Sequence, residues 1–121
     1  KCRKPSVFER RTMKALEELG IAFEREQKPV GCVNPRTGYP LIFDFYIQSH
    51  KTYIECDGFH HYHRTNRTSS TLEKIKARDK IKTTWCRKNK TKLIRIPYWN
   101  ASEKKIMSIL KKELRNVKKN K

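Results

Sequence analysis

The chain has 121 residues, of which 30 are Lys or Arg and 12 are Asp or Glu, for a formal net charge of +18 at pH 7. Its length favours a single domain, 1–121, and 36% hydrophobic against 35% charged residues allows a thin but sufficient core for a compact α/β unit. No apolar run is long enough to cross a membrane, no signal peptide opens the chain, and the 4 cysteines (Cys2, Cys32, Cys56, Cys86) form no CxxC pair, which argues against a complete zinc site and against a disulfide framework.

Reduced thiols fit an intracellular protein of the cytoplasm or nucleoid. A surface this positive points first to nucleic acid, because neutralising phosphates releases counterions; a merely solvated basic face is the alternative. The chain starts at Lys1 rather than Met, so a fragment of a longer protein is expected.

Residues 7–19 carry Phe8, Ala15, Leu16 and Leu19 at helical spacing; Ser6 caps this helix, Glu9 stands three residues on, and Gly20 ends it. IAFEREQ, 21–27, reads as a short strand, and GCVNPRTGYP, 31–40, as a loop rich in Gly, Pro and Asn. LIFDFYI, 41–47, and KTYIECD, 51–57, read as strands joined by a tight polar turn at 48–50. GFHHYHRTNRTSS, 58–70, has no clear period and reads as a loop. A second helix is predicted over 71–88, capped by Ser70 with Glu73 three residues on. TKLIRIPYW, 91–99, is a last strand closed by Pro97. Asn100 or Ser102 then caps a final helix with the apolar stripe Ile106, Ile109, Leu110, Leu114 and Val117; the lysine-rich end, 111–121, is a basic tail. The order α-β-β-β-α-β-α places one sheet between helices, the α/β class.

Strand interiors are usually apolar, since an unpaired carboxylate taken out of water costs several kcal/mol. Strand alternation sends Ile54 and Cys56 one way and Glu55 and Asp57 the other; likewise Phe43, Phe45 and Ile47 share a face opposite Ile42, Asp44 and Tyr46. If the two strands are neighbours, Asp44 and Glu55 converge. Two close carboxylates repel unless a cation sits between them, and oxygen ligands suit Mg²⁺ or Mn²⁺. A dication there can activate water and stabilise the charge of a phosphodiester transition state. Asp79 falls on the inward stripe of the second helix with Leu72, Ile75 and Cys86, where a histidine partner would justify it.

Each of these residues also has a plain structural reading. Glu9 completes a Ser-x-x-Glu capping box. Asp44 and Glu55 can pair with lysines, and Asp57 before Gly58 can be a turn residue. His60, His61 and His63 can face solvent, and Tyr98 and Trp99 can be core and rim packing.

The ordered set formed by Glu9, FDFY, IE-x-DG-x-x-H, Arg78-Asp79 and LIRIPYW resembles the PD-(D/E)xK nuclease superfamily. More narrowly, it is similar to the branch of very-short-patch-repair endonucleases and phage-type EDxHD homing endonucleases, over residues 2–98. The resemblance implies a restriction-endonuclease-like core with a mixed sheet of about four strands. It places metal-binding acids at Asp44 and Glu55, with the Cys56 carbonyl completing the coordination, and further catalytic positions at Glu9 and Asp79. The family's loop histidine falls best on His61, with His60 and His63 also open. Asp57 stands where many members carry a lysine; there, His61 is expected to act as general base or transition-state donor, its tautomer held by Asp79. KCRKPS resembles the end of a zinc-binding segment, which would make Cys2 the last ligand of an upstream module.

The leading expectation is a Mg²⁺- or Mn²⁺-dependent endonuclease, phage or viral origin included, acting on double-stranded DNA, with Glu9, Asp44, Glu55, Asp57, His61 and Asp79 as its catalytic candidates and Arg64, Arg67, Lys74, Lys76 and Arg78 on the backbone. Nicking, cleavage by a homodimer, and help from an upstream domain all stay open. The alternatives are a binding module that has lost catalysis, for which Asp57 in the lysine position speaks, and a histidine-metal nuclease of the ββα type.

Overall fold

A computed structural model describes residues 4–59 and 69–114, except the side chains of 69–71. His60, His61, His63, Arg64, Arg67, Cys2 and Val117 lie outside the described residues, and so do the readings that depend on them. The elements run α1 (Val7–Glu18), β1 (Glu24–Gln27), β2 (Phe43–Ile47), β3 (Thr52–Asp57), α2 (Ser69–Lys88), β4 (Lys92–Pro97) and α3 (Glu103–Leu114), in the expected order. Short 3₁₀ turns at Gln48–His50 and Tyr98–Asn100 follow β2 and β4.

Among the described residues the strands form one 4-stranded sheet in the order β1-β2-β3-β4. β1 with β2 and β2 with β3 are antiparallel, while β3 and β4 are parallel, joined by the crossover through α2. The sheet is therefore mixed, with helices on both faces. On one face Ala15 and Leu16 of α1 and Ile106, Leu110 and Leu114 of α3 pack on Phe45, Ile47, Ile54, Ile94 and Ile96. On the other, Ile81, Trp85 and Cys86 of α2 meet Tyr53, Leu93 and Phe43, together with Cys32 and Leu41 from the segment before β2.

Local chemistry explains the ends. Glu9 N donates to Ser6 Oγ at 3.1 Å and Ser6 N donates to Glu9 Oε1 at 3.0 Å, the reciprocal box that starts α1. Ser102, not Asn100, caps α3: Lys105 N donates to its Oγ at 3.2 Å. Lys51, at φ 48°, closes the β2–β3 turn in the left-handed region.

Several boundaries differ from the sequence reading. Residues 21–23 lie outside β1, although Ile21 and Phe23 still pack on the core. α2 begins at Ser69, which puts Ser70 inside the first turn instead of at the cap. Phe43 also leaves the face of Phe45 and Ile47. The recorded β2–β3 pairing stops at Phe45↔Ile54, and beyond it Phe43 joins the α2 side, its ring centroid 4.3 Å from that of Tyr53.

Candidate active site

Alternation along β3 sends Ile54 and Cys56 to the α1/α3 face and Tyr53, Glu55 and Asp57 to the α2 face. The pairs Phe45↔Ile54, Tyr46↔Tyr53 and Ile47↔Thr52 fix the β2–β3 register. Asp44 and Glu55 are the next residues beyond the last of these pairs, Phe45↔Ile54. Asp44 Oδ2 accepts the backbone N–H of Cys56 at 2.7 Å. The carboxylate thus satisfies a strand donor and is held in place by it.

A cavity of about 410 Å³ opens here, between β2, β3, the start of α1 and the middle of α2; Glu9, Asp44, Glu55, Arg78, Asp79 and Lys82 line it. Cys56 lies on the same wall. The structure thereby brings together Glu9, Asp44, Glu55 and Asp79 from four separate elements, while Asp57 is not part of the cavity lining.

The acids differ in setting. Glu55 is 4% exposed and its carboxyl is pushed up to about 7, first by burial and then by the charge of Asp44. Lys82 Nζ, 3.1 Å from Glu55 Oε2, pulls the other way without prevailing. Asp57 is 2% exposed, so it is no ordinary turn residue. Arg95 Nη1 sits 3.4 Å from Asp57 Oδ2 and 3.4 Å from Asp79 Oδ1, and its Nη2 donates to the Asp79 carbonyl at 3.0 Å. One guanidinium thereby links β3, β4 and α2, using the planar fork that suits two acceptors at once. Asp79, expected to orient a histidine, has Arg95 as a partner.

Glu9 is 7% exposed and performs the capping role while facing the cavity. Cys56 packs its Sγ 3.4 Å from Thr12 Oγ1, and burial raises its thiol pKa far above the usual range, so it stays a thiol. Cys32 and Cys86 are buried and free, and burial raises both thiols. On α2, Lys74, Lys76 and Arg78 are exposed, and Arg78 alone of these lines the cavity.

Sequence reasoning missed Lys82 and Arg95, although both had a signal. Lys82 follows Asp79 by three residues on the inward stripe. Arg95 interrupts Ile94 and Ile96 in a buried strand, so its side chain must face away from theirs.

The chain is similar to a viral protein. Over 74 residues it is 42% identical to "Uncharacterized protein 094L" of Frog virus 3 (isolate Goorha), a match covering 56% of this chain and 46% of that relative. The match thus spans less than half the relative's length. No family model matches the chain. Among the described residues, no group of three or more His, Cys, Asp and Glu forms a ready metal cage, and no helix is long and apolar enough to cross a membrane.

Proposed function

We propose that this domain is a metal-dependent DNA endonuclease that hydrolyses phosphodiester bonds on a restriction-endonuclease-like core. One observation carries the reading: on a chain of net charge +18, Glu9, Asp44, Glu55 and Asp79 line a single cavity beside Arg78 and Lys82. A basic surface draws DNA in, and an acidic pocket within it suits the cation that phosphodiester chemistry needs.

The donor set fits Mg²⁺ or Mn²⁺. Mg²⁺ commonly takes only one or two protein carboxylates, leaving the rest of its shell to waters and substrate phosphate. Asp44 and Glu55 would hold it, with the Cys56 carbonyl as a further oxygen. When bound, the ion supplies Lewis-acid stabilisation of the charge developing on the phosphodiester. The chain's own residues do the rest. The Cys56 N–H fixes Asp44, and Arg95 locks α2 to the sheet through Asp57 and Asp79. Arg78 at the cavity, with the exposed Lys74 and Lys76 on the same helix, positions the DNA backbone. The viral relative supports a viral source.

A second reading has one observation in its favour: Asp57, in the superfamily's lysine position, is committed to Arg95, which suits a binding module without turnover. Incubating supercoiled plasmid with the wild type and with Asp44→Asn, with and without Mg²⁺, separates the two. The nuclease reading expects Mg²⁺-dependent nicking or linearisation. It also expects a loss of at least about 10²-fold in Asp44→Asn, the scale for removing one electrostatic stabiliser. Salt-sensitive DNA binding with no cleavage in Mg²⁺ or Mn²⁺ would establish the binding module instead.

A further inference from the structure

We propose that Lys82 is a further catalytic residue of this site: the counter-ion that a dication displaces from Glu55, and that then serves the scissile phosphate. The proposal rests on the nuclease reading above. β3 offers the acids Glu55 and Asp57 around Cys56 and no cation, and the guanidinium nearest Asp57 is engaged by Asp57 and Asp79. The ammonium comes from α2 instead. Lys82 Nζ lies 3.1 Å from Glu55 Oε2 and 5.2 Å from the centroid of the Phe43 ring, on a side chain 11% exposed.

That burial sets Lys82 apart from the exposed lysines of α2. A desolvated ammonium persists only where a carboxylate and an aromatic face compensate it, and here both do. The carboxylate it uses is one that a metal would use. A dication held by Asp44 and Glu55 would compete with the ammonium for the Glu55 carboxylate and leave Lys82 without that partner. The released head group stays tethered by a four-carbon stem with freely rotating terminal bonds, so it moves within the same cavity without disturbing the helix. Arg78 and Asp79 mark the α2 wall of that cavity, and a phosphate held by Arg78 comes within its reach.

Lys82 keeps its proton throughout. As a water oxygen bonds to phosphorus, the bond from phosphorus to the leaving oxygen breaks. One water proton ends on that departing oxygen and the other passes to solvent as the new terminal phosphate ionises. The ammonium contributes hydrogen bonds to the phosphoryl oxygens where negative charge accumulates.

The test uses the full chain, with Lys82→Gln, Lys82→Met (which keeps most of the buried stem) and Lys82→Arg. Mn²⁺ binding without DNA is measured by calorimetry at pH 8, and single-turnover plasmid cleavage in Mg²⁺. The expected result is a pair of opposite changes. Lys82→Gln and Lys82→Met bind Mn²⁺ several-fold tighter, because the competing charge is gone, yet cleave at least about 10²-fold more slowly. Lys82→Arg stays near the wild-type Mn²⁺ affinity and recovers part of the rate. A residue that merely braced the fold would not tighten metal binding. Neutral variants that cleave within about threefold of the wild type, or bind Mn²⁺ more weakly, overturn the proposal and leave the nuclease reading intact. A wild type that binds Mn²⁺ but leaves DNA uncut in both metals removes the nuclease reading and the proposal with it.

Discussion

The two faces of the sheet are built from the same strands by opposite rules. Toward α1 and α3, β3 and β4 present Ile54, Ile94 and Ile96, which are at most 5% exposed and meet other hydrocarbon. Toward α2 the intervening residues of those strands include Glu55, Asp57 and Arg95, and the apolar cluster there is smaller and carries Tyr53, Trp85 and two thiols. A period of two lets one strand do both jobs without compromise. The α1/α3 face supplies stability and makes few demands on geometry beyond volume. The α2 face holds charges that are tolerable only because each has a partner, which makes it the face where chemistry can be placed.

Three measurements would break or sharpen this contrast. The largest expected effect is on the apolar face: Phe45→Ala, at a fully buried position, should cost about 3–5 kcal/mol in urea unfolding. A much smaller loss would mean that the core is not where the packing puts it. On the polar face, Arg95→Met should cost about 1–3 kcal/mol at pH 8, because it strips Asp57 and Asp79 of a shared partner. Adding Asp57→Asn should recover part of that loss, so the two changes are non-additive in a double-mutant cycle. Simple additivity would show that the guanidinium does not couple these acids.

The smallest effect is a pH dependence. Burial, followed by the charge of Asp44, pushes the Glu55 carboxyl up to about 7. Under the proposed function, Glu55 holds the metal only when ionised, so Mn²⁺ affinity measured by calorimetry should be about tenfold weaker at pH 6 than at pH 8. The sign for stability is opposite. The folded state holds this proton more tightly than the unfolded chain does, so Glu55 makes the metal-free domain less stable as pH rises from about 4.5 through 7. A bound dication should remove that penalty. A Glu55→Gln variant whose Mn²⁺ affinity keeps the wild-type pH profile would place the titrating group elsewhere.

The difference between the faces also governs what was legible in the sequence. Helix periodicity in α1 and α3, the capping box at Ser6 and Glu9, and the alternation of Glu55 and Asp57 against Ile54 and Cys56 are local patterns, and the folded chain reproduces them. So is the stripe that turned Asp79 inward. The convergence of Asp44 and Glu55 on one cavity needed only the assumption that β2 and β3 are neighbours. The partners were harder to read. Whether a buried acid meets Lys82, Arg95 or a histidine depends on how α2 lies across the sheet, and no spacing along the chain encodes that angle. The rotation of Phe43 escaped for a similar reason: alternation presumes a continuous ladder, and here the β2–β3 pairing stops one residue before Asp44.

The capping box at the start of α1 has a practical consequence. Glu9 Oε1 secures the helix's first turn through the Ser6 N–H, while the same side chain borders the cavity. Truncating it to alanine unravels an anchor and deletes a charge in a single stroke, so a dead variant would say nothing about which loss mattered. Glutamine is the discriminating replacement, because its amide oxygen can still receive the Ser6 proton while the negative charge disappears.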